Sequence, residues 1–87
     1  LTVFINIKTG EHSTSWLKEF SANVTAMPEV MELHRIAGDV DYMLKVIVPD
    51  MAAFDAFYKG LIGTAALTEV SSYFTMETIK ETTALPI

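Results

Sequence analysis

Apolar residues recur with two different periods along the first 37 positions of the chain. Residues 1–8 alternate between apolar and mostly polar side chains, which predicts a strand. Apolar residues then recur at helical spacing up to Met27, so the sequence predicts an amphipathic helix with Ser13 as its N-cap. Pro28 ends this helix, because the residue before a proline avoids the α region. Residues 30–37 are predicted to form a second strand.

The second half of the chain predicts a strand, a helix and a further strand. Residues 40–48 are apolar on both faces, which is typical of a central strand in a sheet covered on two sides. Pro49 stops this strand and Asp50 is predicted to cap a helix. The apolar stripe of that helix is Phe54, Phe57, Tyr58 and Leu61, with Gly60 and Gly63 bracketing its end. Residues 67–79 are predicted to form the last strand and residues 80–87 an extended tail.

The order β-α-β-β-α-β predicts an α+β, ferredoxin-like sandwich with both helices on one face of a four-stranded antiparallel sheet. We expect one domain spanning residues 1–87. The uncovered face is also apolar, through Ile5 or Phe4, Met43 or Leu44, and Val70 or Tyr73. Apolar residues make up 51% of the chain, and a domain of 87 residues hides them most simply against another copy. We therefore predict a homodimer formed by sheet packing.

Charge and cysteine content exclude several classes of function. Six basic residues are scattered among eleven acidic ones, giving a formal charge of −5. Since phosphate neutralisation dominates affinity for nucleic acids, we expect no DNA binding by this chain alone. The sequence has no cysteine, which excludes disulfides and thiolate metal sites and fits a reducing, cytoplasmic location. No apolar run approaches the roughly 20 residues of a membrane span, so no membrane partner is expected.

The richest candidate chemistry lies between the second and third predicted strands. In a tight hairpin, Gly38 and Asp39 would supply the positive φ that the turn needs. Asp41 follows inside the predicted strand, where Asp is uncommon, so we expect it to face a charged or hydrogen-bonding partner. Ionised carboxylates suit an ammonium group, and exposed N–H groups near Gly38 suit a carboxylate. The two together predict a site for an amino acid, which carries both charges.

Other polar residues carry weaker signals. His12 and His34 have neither spacing nor cysteines for a metal site, so no metal and no cofactor are expected. Ser71, Ser72 and Thr75 on the last strand are either sheet filler or the lining of a polar pocket that holds a carboxylate. We include Ser71 and Ser72 in the predicted ligand site. No catalytic residues are predicted.

Several stretches resemble the C-terminal effector-binding domain of the Lrp/AsnC (feast/famine) transcriptional regulators. They are residues 3–5, 27–30, 38–46, 48–50 and the tail 79–87, with its Lys-Glu-Thr-Thr-Ala-Leu-Pro run. The resemblance implies a βαββαβ fold, dimers formed by paired sheets, and rings such as octamers. It also implies a small amino-acid effector bound between dimers near Gly38, Asp39, Asp41 and Tyr42. Ser71 and Ser72 stand near a position where many members carry threonines.

The family's helix-turn-helix domain has no counterpart in these residues, so DNA binding is expected only through a separate domain. The chain is either a fragment of a regulator or a stand-alone effector domain, and its Leu start favours a fragment. Two other readings stay open. One is a ligand-free oligomerisation module. The other is a small dimeric α+β-barrel monooxygenase using Trp16, His34 and Asn6, and because the fold is shared it does not discriminate.

Overall fold

The chain folds into four strands and two helices in the predicted order, and the computed structural model describes residues 1–63 and 67–86. The elements are β1 (Thr2–Lys8), α1 (Thr14–Thr25), β2 (Val30–Arg35), β3 (Tyr42–Ile47), α2 (Met51–Ile62) and β4 (Glu69–Phe74). All strand pairs are antiparallel, and the sheet order is β2-β3-β1-β4. The prediction of a ferredoxin-like α+β fold is therefore confirmed.

Both helices begin at the predicted caps. The Ser13 hydroxyl accepts a hydrogen bond from the N–H of the third residue after it, at 3.2 Å. The Asp50 carboxylate does the same for the N–H of Ala53, at 2.8 Å. Such caps satisfy donors that a helix N-terminus leaves unpaired. At the other end of α2, Gly63 has φ −83°, so this helix ends without a left-handed glycine, and Gly60 lies within its last turn.

Alternation along the central strands separates two faces of the sheet. On the helix-covered face, the side chains of β1 and β3 are buried against both helices: Val3, Ile5, Ile7, Tyr42, Leu44 and Val46. The intervening residues form the opposite surface, here called the open face: Thr2, Phe4, Asn6, Lys8, Met43, Lys45 and Ile47. Directly paired residues of an antiparallel sheet share a face. The register therefore adds His34 of β2 and Tyr73 of β4 to the open face.

The core lies between the sheet and the helices, as the apolar stripes predict. Phe20 and Val24 of α1 and Phe54, Phe57 and Leu61 of α2 are buried in it. Trp16 and Tyr58 pack against the same cluster and are partly buried. The apolar stripe predicted for the second helix therefore faces the core.

The last strand is shorter than predicted. It covers Glu69–Phe74 instead of residues 67–79, because it pairs only with β1. The N–H of Thr75 bonds the carbonyl of Thr2 at 3.0 Å, and Thr2 is the first residue of β1, so β4 has no partner beyond this point. Residues 75–86 then continue without strand structure, and residue 87 of the predicted tail lies outside the described residues.

Candidate functional site at the β2–β3 turn

The turn between β2 and β3 is longer than the tight hairpin considered from the sequence. β2 ends at Arg35 and β3 begins at Tyr42, so six residues connect them. The Ile36 N–H bonds the Asp41 carbonyl at 2.9 Å and closes the turn. Within residues 1–63 and 67–86, no glycine has positive φ. Gly38 therefore does not supply the left-handed conformation of a two-residue turn, because a loop of this length reverses the chain without it.

Asp41 lies just before β3, not inside it as the sequence suggested, and it has a hydrogen-bonding partner. Its Oδ2 accepts a bond from the N–H of Thr9 at 2.8 Å, and Thr9 is buried. The Asp41 N–H in turn donates to the Ile7 carbonyl at 2.9 Å. These bonds tie the turn to the end of β1, which explains why a carboxylate is tolerated here.

Tyr42 contributes packing next to this turn. It is 5% exposed, and its ring lies 5.1 Å from Phe20 and 6.1 Å from Trp16 between centroids. Trp16 stacks on Phe20 at 4.8 Å. Aromatic pairs at these separations stabilise a core beyond the area they bury. Tyr42 thus joins α1 to the start of β3.

Two clefts flank the turn, one on each face of the sheet. The helix-side cleft, of about 210 Å³, is lined by His12, Leu17, Arg35, Ile36, Asp41 and Tyr42. The open-face cleft, of about 140 Å³, is lined by Asn6, Lys8, Asp39, Val40, Glu69, Ser71 and Tyr73. Of the predicted site residues, the structure therefore places Asp41 and Tyr42 in one cleft and Asp39 and Ser71 in the other.

Ser71 and Ser72 do not belong to one surface. In the register with β1, Ser71 is opposite Asn6 on the open face, whereas Ser72 is opposite Ile5 on the helix-covered face. Neighbouring residues of a strand point to opposite faces, so one ligand in either cleft reaches at most one of them. Ser72 lines neither of the two clefts.

Uncompensated charges lie on both sides of the turn. Among the residues that the structure describes, Arg35 and Asp39 form no ion pair. By contrast, Lys8 lies 3.7 Å from Glu69 at the edge of the open-face cleft. Arg35 and His12 were not predicted as site residues. Pairing across the β2–β3 hairpin offered the signal for Arg35, because it stands opposite Tyr42 at the end of β2.

Further along the open face, charged residues form pairs with one another. Glu32 accepts from His34 Nε2 at 2.9 Å and lies 3.7 Å from Lys45. The hydrogen bond from His34, with help from the Lys45 charge, lowers the pKa of the Glu32 carboxyl. These three residues therefore have partners within the protomer.

The residues considered for a monooxygenase do not converge. Trp16 packs on the helix-covered side, whereas Asn6 and His34 lie on the open face, each paired with Met43 from a neighbouring strand. Within the described ranges, no three His, Asp or Glu residues are grouped so as to hold a metal ion. Nor does any described helix have the length and apolar character needed to cross a membrane.

Comparison with protein families and solved structures identifies relatives over the whole fold. A family model described as the Lrp/AsnC ligand binding domain matches residues 2–85. The DNA-binding transcriptional activator DecR of Escherichia coli K12 is 49% identical over 88 residues, covering 100% of this chain and 58% of that protein.

Two crystal structures are similar in both sequence and fold. An AsnC family transcriptional regulator from Agrobacterium tumefaciens superposes with a TM-score of 0.90 at 56% identity, covering 98% of this chain and 56% of that one. A Neisseria meningitidis transcriptional regulator in complex with L-Met superposes with a TM-score of 0.89 at 31% identity, covering 99% of this chain and 56% of that one.

The chain spans little more than half the length of the curated relatives it matches, from 53% to 58%. Those relatives are named as regulators of transcription or of uptake. The family model, the identities and the shared fold agree over nearly all the described residues. The chain therefore belongs to the Lrp/AsnC family and corresponds to the ligand binding domain of its transcriptional regulators.

Proposed function

We propose that the chain is the effector-sensing and self-assembling part of an Lrp/AsnC-type transcriptional regulator, and not an enzyme. A small amino acid binds at the β2–β3 turn between dimers and alters their assembly into rings such as octamers. The altered assembly changes DNA binding by a separate helix-turn-helix domain. One observation carries the proposal: a family member 31% identical to this chain, with a TM-score of 0.89, has been crystallised with L-Met.

The geometry of the turn supports an amino-acid ligand. Asp39 is exposed and unpaired among the described residues, and Asp41 lies half-buried beside a cleft. Carboxylates are the side chains that hold an ammonium group, and clefts lined by a few polar groups are the usual form of small-molecule sites. Gly38 brings backbone groups to the tip of the same turn. Ser71 reaches the open-face cleft beside Asp39, whereas Ser72 would act only in a different pocket.

A thermal-shift screen of the twenty amino acids tests effector binding. A ligand that binds only the folded state stabilises it by about 2.7 kcal/mol at 100 times its dissociation constant, so we expect L-methionine or another amino acid to raise Tm. N-acetyl-L-methionine is the matched control, because it has no ammonium group for the carboxylates. If no amino acid raises Tm, sensing is wrong and the ligand-free oligomerisation module becomes the better description.

The open face supports self-association. Tyr73 is 57% exposed and Ile47 is 46% exposed in the isolated protomer, and Phe4 and Met43 lie on the same face of the two central strands. The Asn6 Oδ1 is buried on this face without a hydrogen-bond donor in the described part of the chain. A facing sheet would cover the apolar side chains and bring a donor to Asn6, which an unpaired buried amide oxygen requires.

Sedimentation tests the dimer. We expect the wild type at micromolar concentration to sediment as a dimer or larger, and Tyr73→Asp to shift it toward the 9.6 kDa protomer, because a buried unpaired charge opposes sheet packing. Met51→Asp is the matched control: Met51 is also 57% exposed but begins α2, where an acid is favourable. A wild type that sediments as a clean monomer would contradict the dimer.

A cytoplasmic location stays a prediction.

A further inference from the structure

Two opposite charges face the helix-side cleft without neutralising each other. Arg35 ends β2 directly opposite Tyr42, so its side chain lies on the helix-covered face. In the part of the chain that the structure describes, Arg35 has neither an ion pair nor a hydrogen bond from its side chain. Asp41 lines the same cleft. An arginine and a carboxylate that share a cavity without pairing leave room for a ligand that pairs with both.

The carboxylate of Asp41 is held in place before any ligand arrives. Its backbone is fixed by the bonds to Ile7 and Ile36, both 2.9 Å, and its Oδ2 by the Thr9 N–H at 2.8 Å. Its Oδ1 has no bonding partner among residues 1–63 and 67–86. Groups fixed in advance lose little conformational entropy on binding, which makes such an oxygen a good acceptor for a ligand's ammonium.

We propose that Arg35 binds the α-carboxylate of the amino acid whose α-ammonium is bound by Asp41. The inference rests on the proposed function and adds Arg35 to its site. Guanidinium and carboxylate match in a planar, two-bond geometry, whereas the backbone N–H groups around Gly38 offer no net charge. Leu17 and Ile36 provide apolar walls for the ligand's side chain.

The cavity has the size for this ligand class. Pockets for drug-sized molecules begin at about 300 Å³, whereas this cleft measures about 210 Å³. A free amino acid carries both charged groups on the same carbon atom and is smaller than such molecules. The volume suits a free α-amino acid, and pairing with both Arg35 and Asp41 requires its carboxylate and its ammonium group to be unmodified.

Titration calorimetry on the 87-residue chain tests the pairing. With L-methionine as the probe, we expect Arg35→Gln to bind about 10- to 100-fold more weakly than the wild type, as loss of a charge-assisted hydrogen bond implies. L-methioninamide, which lacks the carboxylate, should bind the wild type at least about tenfold more weakly than L-methionine. Arg35→Gln should no longer distinguish the two compounds, and Arg35→Lys should be intermediate.

Lys18→Gln is the matched control, because it also removes one exposed positive charge but from α1 outside the cleft. It should bind as the wild type does. If Arg35→Gln keeps both its affinity and its preference for the acid over the amide, Arg35 is not the carboxylate partner. If another amino acid from the thermal screen binds and L-methionine does not, the same comparison applies to that acid and its amide. If no amino acid binds, the proposed function is wrong, and so is the role of Arg35 that depends on it.

Discussion

Replacing Phe20 by alanine should lower the free energy of unfolding by about 3–5 kcal/mol, the usual cost of removing a buried aromatic side chain. Phe20 is 1% exposed, stacks on Trp16 at 4.8 Å and contacts Tyr42 at 5.1 Å. The cavity left by alanine would therefore open between α1 and the first residue of β3, next to the candidate site. Domains have total stabilities of about 5–15 kcal/mol, so this loss is a large share.

Guanidinium denaturation at one fixed protein concentration measures this effect, since the stability of an oligomer depends on concentration. Phe20→Leu is the control, because it keeps an apolar side chain in the same space and should cost clearly less than alanine. A loss below about 1 kcal/mol for Phe20→Ala would mean that the cluster of Trp16, Phe20 and Tyr42 relaxes around the gap and does not join the helix to the sheet as described.

Local sequence signals predicted most of the fold because they are decided within a few residues. The Ser13 and Asp50 caps each depend on one side chain and an N–H three residues away. The alternation of residues 2–8 fixed which side chains of β1 are buried once the helices were placed on one face. The apolar stripes of both helices likewise predict which of their residues form the core.

Features that depend on distant partners were predicted less well. The end of β4 is set by the length of β1, about 70 residues earlier in the chain, and the run of β-forming residues up to 79 gives no sign of it. The bond from Thr9 to Asp41 joins residues 32 positions apart, so the sequence indicated a partner for Asp41 without naming it. The division of the candidate site into two clefts follows from the same long-range packing.

Strand alternation bears directly on the two serines included in the predicted site. Ser71 and Ser72 are adjacent on a strand, and alternation alone states that they face opposite sides of the sheet. Applying that rule would have restricted the predicted site to one of them. A second rule, that residues paired across two antiparallel strands share a face, places Arg35 on the face of Tyr42 and so connects this arginine to the helix-side cleft.

Two substitutions of Asp41 distinguish its contribution to stability from its proposed role in binding the effector. Asp41→Ala removes the acceptor that Thr9 uses at 2.8 Å, and a lost hydrogen bond to a charged group costs about 1.5–3 kcal/mol of stability. Asp41→Asn keeps a side-chain oxygen that accepts from the same N–H, so its cost in stability should be smaller. Both substitutions remove the negative charge that we propose holds the effector's ammonium group.

We therefore expect the two variants to differ in thermal stability but to share a large loss of amino-acid affinity, about tenfold or more by calorimetry. Asp39→Asn is the comparison for the other cleft, because Asp39 is exposed and has no ion pair within the described residues. Equal affinity in the wild type and Asp41→Asn, with a loss in Asp39→Asn, would move the ligand to the open-face cleft. A different result would be that no variant binds an amino acid, and that Asp41→Asn sediments only as dimers whereas the wild type forms larger rings. The turn would then act as an assembly contact, because its carboxylate pairs with a neighbouring protomer instead of a ligand.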